Sequence, residues 1–363
     1  MPDHEARPRS RRRAAPKAPL CPNCSASTRR QSLAKAGAEE AAATGTVTRH
    51  GFVMSSKRRS QRWRCARCRT TFTKDTGTLF ERLRASNAAV ERALALSTEG
   101  VSKAAIARTI GVAACTVTRW IENAARHATD FHAESVAGVR TKEVQADELR
   151  GHTTSRANIT WVHVAIAVES RLWLSLVVGP RSTKSLKRHY GEVQSRLDFG
   201  PGPVLVSTDG YVKNLAAIAR TFGPCGIHAS VVRRIENRRV IASVTTIDHG
   251  DASAAQSIID ASRNSHVFNI SFVDRLHGTI RRSIAALHRR SNALCRSART
   301  LQHQLELMRT VYNFVRPHQS LREGRTRRTP AMAAGLASRP MKLSEILRHI
   351  IRPVSGRNLQ AYA

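Results

Sequence analysis

The sequence predicts an α/β protein: strands with interleaved helices over 141–336, preceded by a small cysteine-bearing module over 21–80 and a helical segment over 87–128. Three observations lead there. Two Cys-x-x-Cys steps, CPNC (Cys21, Cys24) and CARC (Cys65, Cys68), bracket the first module. Apolar residues then recur at helical spacing through 87–128, and from about 141 the pattern becomes that of strands. A basic tail over 1–20 and a C-terminal tail over 337–363 flank these parts, and LSEILRHII in the latter suggests a short amphipathic helix.

Charge narrows the partners. The 363 residues carry 60 Lys+Arg against 26 Asp+Glu, a formal net charge of +34. The excess recurs in RPRSRRR near the start, through Arg281, Arg282, Arg289, Arg290, Arg296 and Arg299, and in REGRTRR at 322–328. Such a surface attracts polyanions, above all nucleic acid. The longest apolar runs, VHVAIAV and LWLSLVV, have strand length, so no membrane span is expected. The N-terminus lacks the apolar stretch of a signal peptide, which predicts a cytoplasmic, nucleoid-associated protein with reduced cysteines.

Each Cys-x-x-Cys step lets two thiolates meet one ion, and two steps supply the tetrahedral four-sulfur set that zinc favours. Cys21, Cys24, Cys65 and Cys68 are therefore expected to hold a structural Zn2+ in a zinc-ribbon-like module, with QRWRCARCRTTF as a β-hairpin on the metal. The alternative is a pair of unrelated thiol motifs. The stretch AKAGAEEAAATG reads as an insertion between the knuckles, and Cys115, Cys225 and Cys295 read as packing residues.

In the helical segment, Ser102 is set to cap SKAAIARTIG, small Ala107 permits close helix approach, and Gly111 makes the turn. VAACTVTRWIENAARHA (112–128) then buries Val117, Trp120 and Ile121 and leaves Thr116, Thr118 and Arg119 facing outward. This fits a helix-turn-helix whose second helix enters the major groove, with a plain helical hairpin as the alternative. His127, Asp130 and His132 mimic a metal cluster but are expected on an exposed helix end.

The last domain reads as three strands, a helix (182–197), a strand, a helix (211–223), a strand (227–232) and a long helix. Asp147 falls on the first strand and Asp209 just past the fourth. Neighbouring strands would bring these together, and a helix across the sheet edge would add Asp274 from NISFVDRL. Three crowded carboxylates repel unless divalent cations lie between them, and oxygen-only ligands suit Mg2+ or Mn2+. Taken singly, each Asp is equally a turn residue or a solvated helix charge. LQHQLELMRTVYNFV (301–315) reads as a core helix, with subunit contact as the lesser reading.

VQADELRG, VSTDGY and NISFVDRL resemble the three acidic motifs of DDE transposases in the retroviral-integrase superfamily. NISFVDRLHGTIRR, YNFVRPHQSLR (312–322) and RTPAMAAGL (328–336) are similar to insertion-sequence transposases of the insertion-sequence-one type, over roughly 20–336. The resemblance implies a ribonuclease-H-like catalytic core with Asp147, Asp209 and Asp274 as catalytic residues and magnesium ligands. Asp274 stands where the family has glutamate, one methylene longer, with Glu306 and Glu236 as conceivable substitutes outside the motif. The implied activity is strand cleavage at the ends of a mobile element and transfer of the freed 3′-hydroxyl into target DNA. Arg281, Arg282, Arg289 and Arg290 would neutralise phosphates, and Thr116, Thr118 and Arg119 would read terminal repeats. The partners would be double-stranded DNA at element ends and target, and a homo-oligomer assembled on it. No nucleotide cofactor is implied, because GxxxxGK[ST] is missing from the sequence. The rivals are an impaired or domesticated transposase acting as a DNA-binding protein, a general nuclease, and a tyrosine recombinase using Tyr312 near Arg316 and His318.

Overall fold

The computed structural model describes residues 18–24, 47–55, 58–237, 239–289 and 293–351. The insertion between the knuckles, Arg290, residues 1–17 of the basic tail and residues 352–363 of the C-terminal tail lie outside them. The described chain divides into two compact units, one ending at Arg84 and one spanning Ala85–Ile351.

In the first unit, β1 (Val47–Ser55), β2 (Arg58–Cys65) and β3 (Thr71–Phe72) form an antiparallel sheet in that order. Trp63 pairs with Phe72, so the hairpin expected around the second knuckle is present. Its small core is Cys21, Trp63, Cys65 and Phe72.

The second unit begins with α1 (Asn87–Thr98), α2 (Lys103–Ile110) and α3 (Ala114–Ser135). Ser102 caps α2 as expected, its Oγ accepting the Ala105 amide at 3.2 Å. Gly111 ends α2 in the left-handed region, at φ 76°. Val117, Trp120 and Ile121 are buried on α3, which continues to Ser135 rather than stopping near 128. His127 and His132 are therefore buried inside this helix and not on an exposed end. His127 Nε2 meets the Ile346 carbonyl at 2.9 Å, and His132 Nε2 lies 3.3 Å from the Trp173 carbonyl.

Behind the helices stands a six-stranded mixed sheet. Its strands are β4 (Glu143–Thr153), β5 (Ser155–Ala167), β6 (Trp173–Gly179), β7 (Val204–Thr208), β8 (Gly226–Glu236) and β9 (Arg239–His249). The order is β6-β5-β4-β7-β8-β9. β4, β5 and β6 run antiparallel, while β7 and β8 are parallel to β4. The sequence pattern did not anticipate β9, which pairs antiparallel with β8 at the edge, nor α6 (Ala252–Asp260) behind it. β9 is mostly exposed, with Ile241 and Val244 facing out, so it lacks the apolar run of a buried strand.

Alternation along β4 sends successive side chains to opposite faces. Val144 and Ala146 join one core with Val206, Ile218 from α5 (Lys213–Phe222), and Leu186 and Tyr190 from α4 (Thr183–Arg196). Leu149 joins the other with Val164, with Val273, Leu276 and Ile280 of α7 (Ser271–Ser283), and with Leu301, Leu305 and Met308 of α8 (Ala298–Phe314). α8 is thus a core helix. The chain closes with the hairpin β10 (His318–Glu323) and β11 (Thr326–Arg328), then α9 (Pro330–Ala333) and the expected short helix, α10 (Leu343–Leu347).

The exit of β7 is tightly specified. Gly210, directly after Asp209, has φ +83°, and a Cβ there would lie 2.8 Å from Val232 Cγ2. Gly210→Ala would meet left-handed strain and would displace the exposed Val232 side chain. A loss of about 1–2 kcal/mol in urea unfolding is expected; a variant as stable as the parent would contradict this account of the turn.

Candidate functional site

Parallel pairing of β4 and β7 sets Val144 beside Val206 and Gln145 beside Ser207. Continued by two residues, that register sets Asp147 beside Asp209. One oxygen from each of Asp147, Asp209 and Glu148 falls within a mutual 4.8 Å. A second group within the same limit joins Asp147 to Asp274 and His277. Asp147 is the hinge of both groups, while Asp209 and Asp274 share no group.

The third carboxylate is brought in by a cap. The buried Gln145 side chain on β4 accepts the backbone N–H groups of Phe272 (2.9 Å) and Val273 (3.2 Å) at the start of α7. Its amide donates to Asn269 Oδ1 at 3.2 Å, and that oxygen also accepts the Ser271 amide at 2.9 Å. These bonds serve amides that the first helical turn leaves open, and they tie α7 to the strand carrying Asp147 two residues away. His277 follows Asp274 by three residues, on the same helix face. Its Nδ1 lies 3.6 Å from Asp147 Oδ2, and its buried Nε2 has no hydrogen-bond partner among the described residues.

The crowding shows in the proton affinities. Burial, and then the facing Asp209, push Asp147 up to about 8. Burial followed by Glu148 raises Asp209 as well. Burial also pushes Glu148 upward, but His163 and Arg181 together outweigh it and hold that carboxyl below its usual value. His277 is driven down to about 3 by burial and then by Arg281, which leaves a neutral imidazole able to act as a ligand.

Two arginines answer the negative charge. Arg181 Nη2 reaches Glu148 at 2.9 Å and Asp209 at 3.3 Å, with its guanidinium stacked 3.6 Å from the Tyr211 ring centroid. Arg233 Nη2 holds Asp274 Oδ2 at 2.6 Å. The donor set, carboxylate oxygens with one neutral imidazole, suits a hard divalent cation such as Mg2+ or Mn2+. Glu306 is instead buried against Arg309 at 2.5 Å, and Glu236 is exposed beside Arg234 at 3.4 Å, so neither replaces Asp274.

In the first unit, the sulfurs of Cys21, Cys24, Cys65 and Cys68 all lie within 4.8 Å of one another. Cys21 to Cys68 is 3.5 Å and Cys24 to Cys65 is 3.8 Å. Bonds of ~2.3 Å to a tetrahedral ion separate sulfurs by about 3.8 Å, whereas a disulfide would need ~2.05 Å. These thiols fit zinc. The Thr70 hydroxyl draws Cys68 down to about 6, whereas the contact with Cys68 pushes Cys24 up to about 12 and burial raises Cys21, as expected of crowded thiols. Of the three isolated cysteines, only Cys295 is buried; Cys115 and Cys225 are exposed and do no packing.

Arg119 is exposed and forms no ion pair among the described residues, while Thr116 and Thr118 are half-buried. Thr118 Oγ1 already donates to the Ala114 carbonyl at 3.1 Å. Arg282 and Arg289 are exposed and Arg281 half-buried. No helix among the described residues is long and apolar enough to cross a membrane. No known family model and no curated protein matches the chain.

Sequence reasoning missed Gln145, Glu148, Arg181, Arg233 and His277. Glu148 was not considered, and strand alternation alone would have turned it away from Asp147; His277 had a usable signal in its i,i+3 spacing from Asp274.

Two outcomes follow for the metals. The purified protein should carry one zinc, and its removal by a chelator, or Cys65→Ser, should abolish hydrogen-exchange protection in β1–β3; unchanged protection would argue against a zinc-held module. For the acidic cluster, the raised Asp147 carboxyl stabilises the fold fully below its unfolded value of ~3.9 and loses that contribution as pH rises through about 8. Mn2+ should therefore raise the Tm more at pH 8.5 than at pH 5, and Asp147→Asn should remove the difference. Equal Mn2+ shifts at both pH values would exclude cation binding at Asp147.

Proposed function

We propose that this chain is a DNA transposase of the DDE type, with a ribonuclease-H-like catalytic core, a helix-turn-helix formed by α2 and α3, and a zinc-ribbon-like module. The observation that carries the reading is the meeting of Asp147, on the first strand of the sheet, with Asp209, past the end of its parallel neighbour, and with Asp274. Three antiparallel strands followed by two parallel ones, with helices on both faces, support the same core. The exposed arginines on α7 and beyond it support nucleic acid as substrate.

Asp147, Asp209, Asp274 and Glu148 would hold Mg2+ or Mn2+, with His277 beside them. Bound there, the ion would polarise a phosphodiester and ease ionisation of the attacking oxygen. The carboxylates supply the charge, Gln145 fixes the helix that brings Asp274, and the neutral His277 adds no repulsion toward a cation. Arg181 and Arg233 balance the acidic groups and lie near enough to bind phosphate oxygens once a cation takes over that role. Arg281, Arg282, Arg289 and Arg290 would hold the DNA backbone, while Thr116, Thr118 and Arg119 would face its bases.

A second reading, a DNA-binding protein with weak catalysis, draws on one observation: the short Asp274 side chain is engaged by Arg233 at 2.6 Å and shares no group with Asp209. The tyrosine-recombinase reading has little support. Tyr312 is buried edge-on against Trp173, and burial raises its phenol above the usual range.

The test is strand cleavage and end-joining in Mg2+ or Mn2+. Asp209→Ala should lower cleavage by at least about 10³-fold while DNA binding persists. Asp274→Glu separates the two readings, because a large gain identifies an impaired copy and a loss identifies a site built around aspartate. Cleavage surviving in Asp209→Ala would refute the transposase chemistry.

A further inference from the structure

Beyond the acidic cluster, along both β4 and α7, lies an open pocket of about 260 Å3. Its polar lining is Arg150, His152, Arg156, Arg281, His288 and Arg289, without a single carboxylate. Three separate segments build it: the β4–β5 hairpin, the last turn of α7, and the stretch following the 3-10 turn Ala285–Leu287. We propose that this pocket binds a phosphate group of a nucleic-acid strand, as a seat remote from the acidic cluster.

The pocket is built rather than an accident of basic composition. Gly151, between Arg150 and His152, leaves room for Leu287, whose Cδ2 would sit 2.7 Å from a Cβ at that position. Leu287 thereby packs onto β4 and fixes the wall that carries His288 and Arg289. At the hairpin tip the Thr154 amide donates to the Cys295 carbonyl at 2.8 Å, which ties the far side of the pocket to the same strands. Arg150, Arg281 and Arg289 form no ion pair among the described residues. Arg281 is held below its usual value by burial and then by Arg289, which together outweigh the opposite pull of Asp147 and Asp274 at the other end of the helix. His152 Nδ1 is buried and has no hydrogen-bond partner among the described residues. Several forked donors, two imidazoles and no competing acid suit the oxygens of a phosphate.

The spacing gives the seat a meaning. Asp274, His277 and Arg281 follow one face of α7 at intervals of three and four residues. Seven residues of helix span about 10 Å, and successive phosphates of one strand advance ~3.4 Å along the duplex axis. A strand whose scissile phosphate lay at the acidic cluster would present a phosphate about three nucleotides away to the pocket. Nucleic acid as the bearer of that phosphate rests on the function proposed above; inorganic phosphate shares the chemistry and must be distinguished by experiment.

The experiment measures binding of the full chain to a fluorescent 20-base-pair duplex (about two helical turns) by anisotropy across a salt series. It compares the parent with Arg150→Ala, with the pair Arg150→Ala/Arg156→Ala, and with a control pair at exposed arginines elsewhere, Arg188→Ala/Arg220→Ala. The pocket pair should weaken binding about tenfold and flatten the log–log salt slope by about one, with Arg150→Ala intermediate and the control pair near the parent. Inorganic phosphate, followed through the His152 ring resonances, should bind far more weakly than the duplex. Equal losses in pocket and control pairs would mean a diffuse basic surface and overturn the seat. Tight inorganic phosphate binding with duplex affinity unchanged in the pocket pair would overturn the nucleic-acid assignment. Because cleavage is not read, a protein that fails to cut but shows the pocket-specific loss would sink the transposase reading and leave this one standing.

Discussion

The arrangement of the acidic site depends on a buried glutamine. Gln145, two residues from Asp147, accepts two amides of α7 at one side-chain oxygen and donates its amide group to Asn269. A helix start leaves its first N–H groups without internal partners, and burying them unsatisfied costs about 1–3 kcal/mol each. No residue on α7 itself caps them, since Ile270 stands at the cap position. The strand therefore completes the helix, and in doing so fixes how far Asp274 can stand from Asp147. The packing of Val273, Leu276 and Ile280 on Leu149 holds the helix against the sheet. That apolar contact does not by itself set position along the strand; the directional hydrogen bonds do.

Given that frame, the electrostatics are nearly forced. Asp147 faces carboxylates on two sides in a half-buried setting, and its proton affinity rises because no charged form is comfortable there without a cation. The structure supplies guanidinium groups at two corners, Arg181 and Arg233, and leaves Asp147 without one. A carboxylate between two partly neutralised neighbours is the position at which a divalent ion gains most. The buried Glu192–Arg309–Glu306 set makes a useful contrast: there Arg309 meets one acid at 2.8 Å and the other at 2.5 Å, and the cluster is closed. Both clusters are acidic, the first half-buried and the second nearly closed off from solvent, but only the first lacks a fixed counter-charge at its centre.

Much of this was legible in the sequence, and the limits have physical causes. Asp147 and Asp209 could be paired because each was read on or just past a strand of one sheet, and β4 and β7 are parallel neighbours although β5, β6 and α4 lie between them in the chain. The four cysteines were legible because metal geometry dictates local spacing. Gln145 could not be found, since its role exists only when a helix more than a hundred residues away arrives above it. Glu148 carried no signal, because period-two alternation turns it from Asp147, yet its carboxylate reaches the cluster. The edge strand β9 was missed because an exposed strand carries no burial signal, and the two histidines of α3 were misplaced because the helix runs a further two turns into the core. Arg181 and Arg233 are single arginines in an arginine-rich chain, and composition hid them.

The order of charge along α7 connects these observations. Asp274 falls in the first turn and Arg281 and Arg282 in the last. Both placements agree with the helix macrodipole, which favours anions at the N-terminus and cations at the C-terminus by ~0.3–1 kcal/mol each. One helix thus presents a cation-seeking end beside β4 and an anion-seeking end beside the β4–β5 hairpin. A polyanion drawn along the helix would meet repulsion from bare carboxylates at one end and attraction at the other. Binding of a divalent ion at Asp147 would reverse the first without changing the second. On the function proposed above, the same geometry would make productive seating of a nucleic-acid strand conditional on metal through charge alone, with no conformational change required.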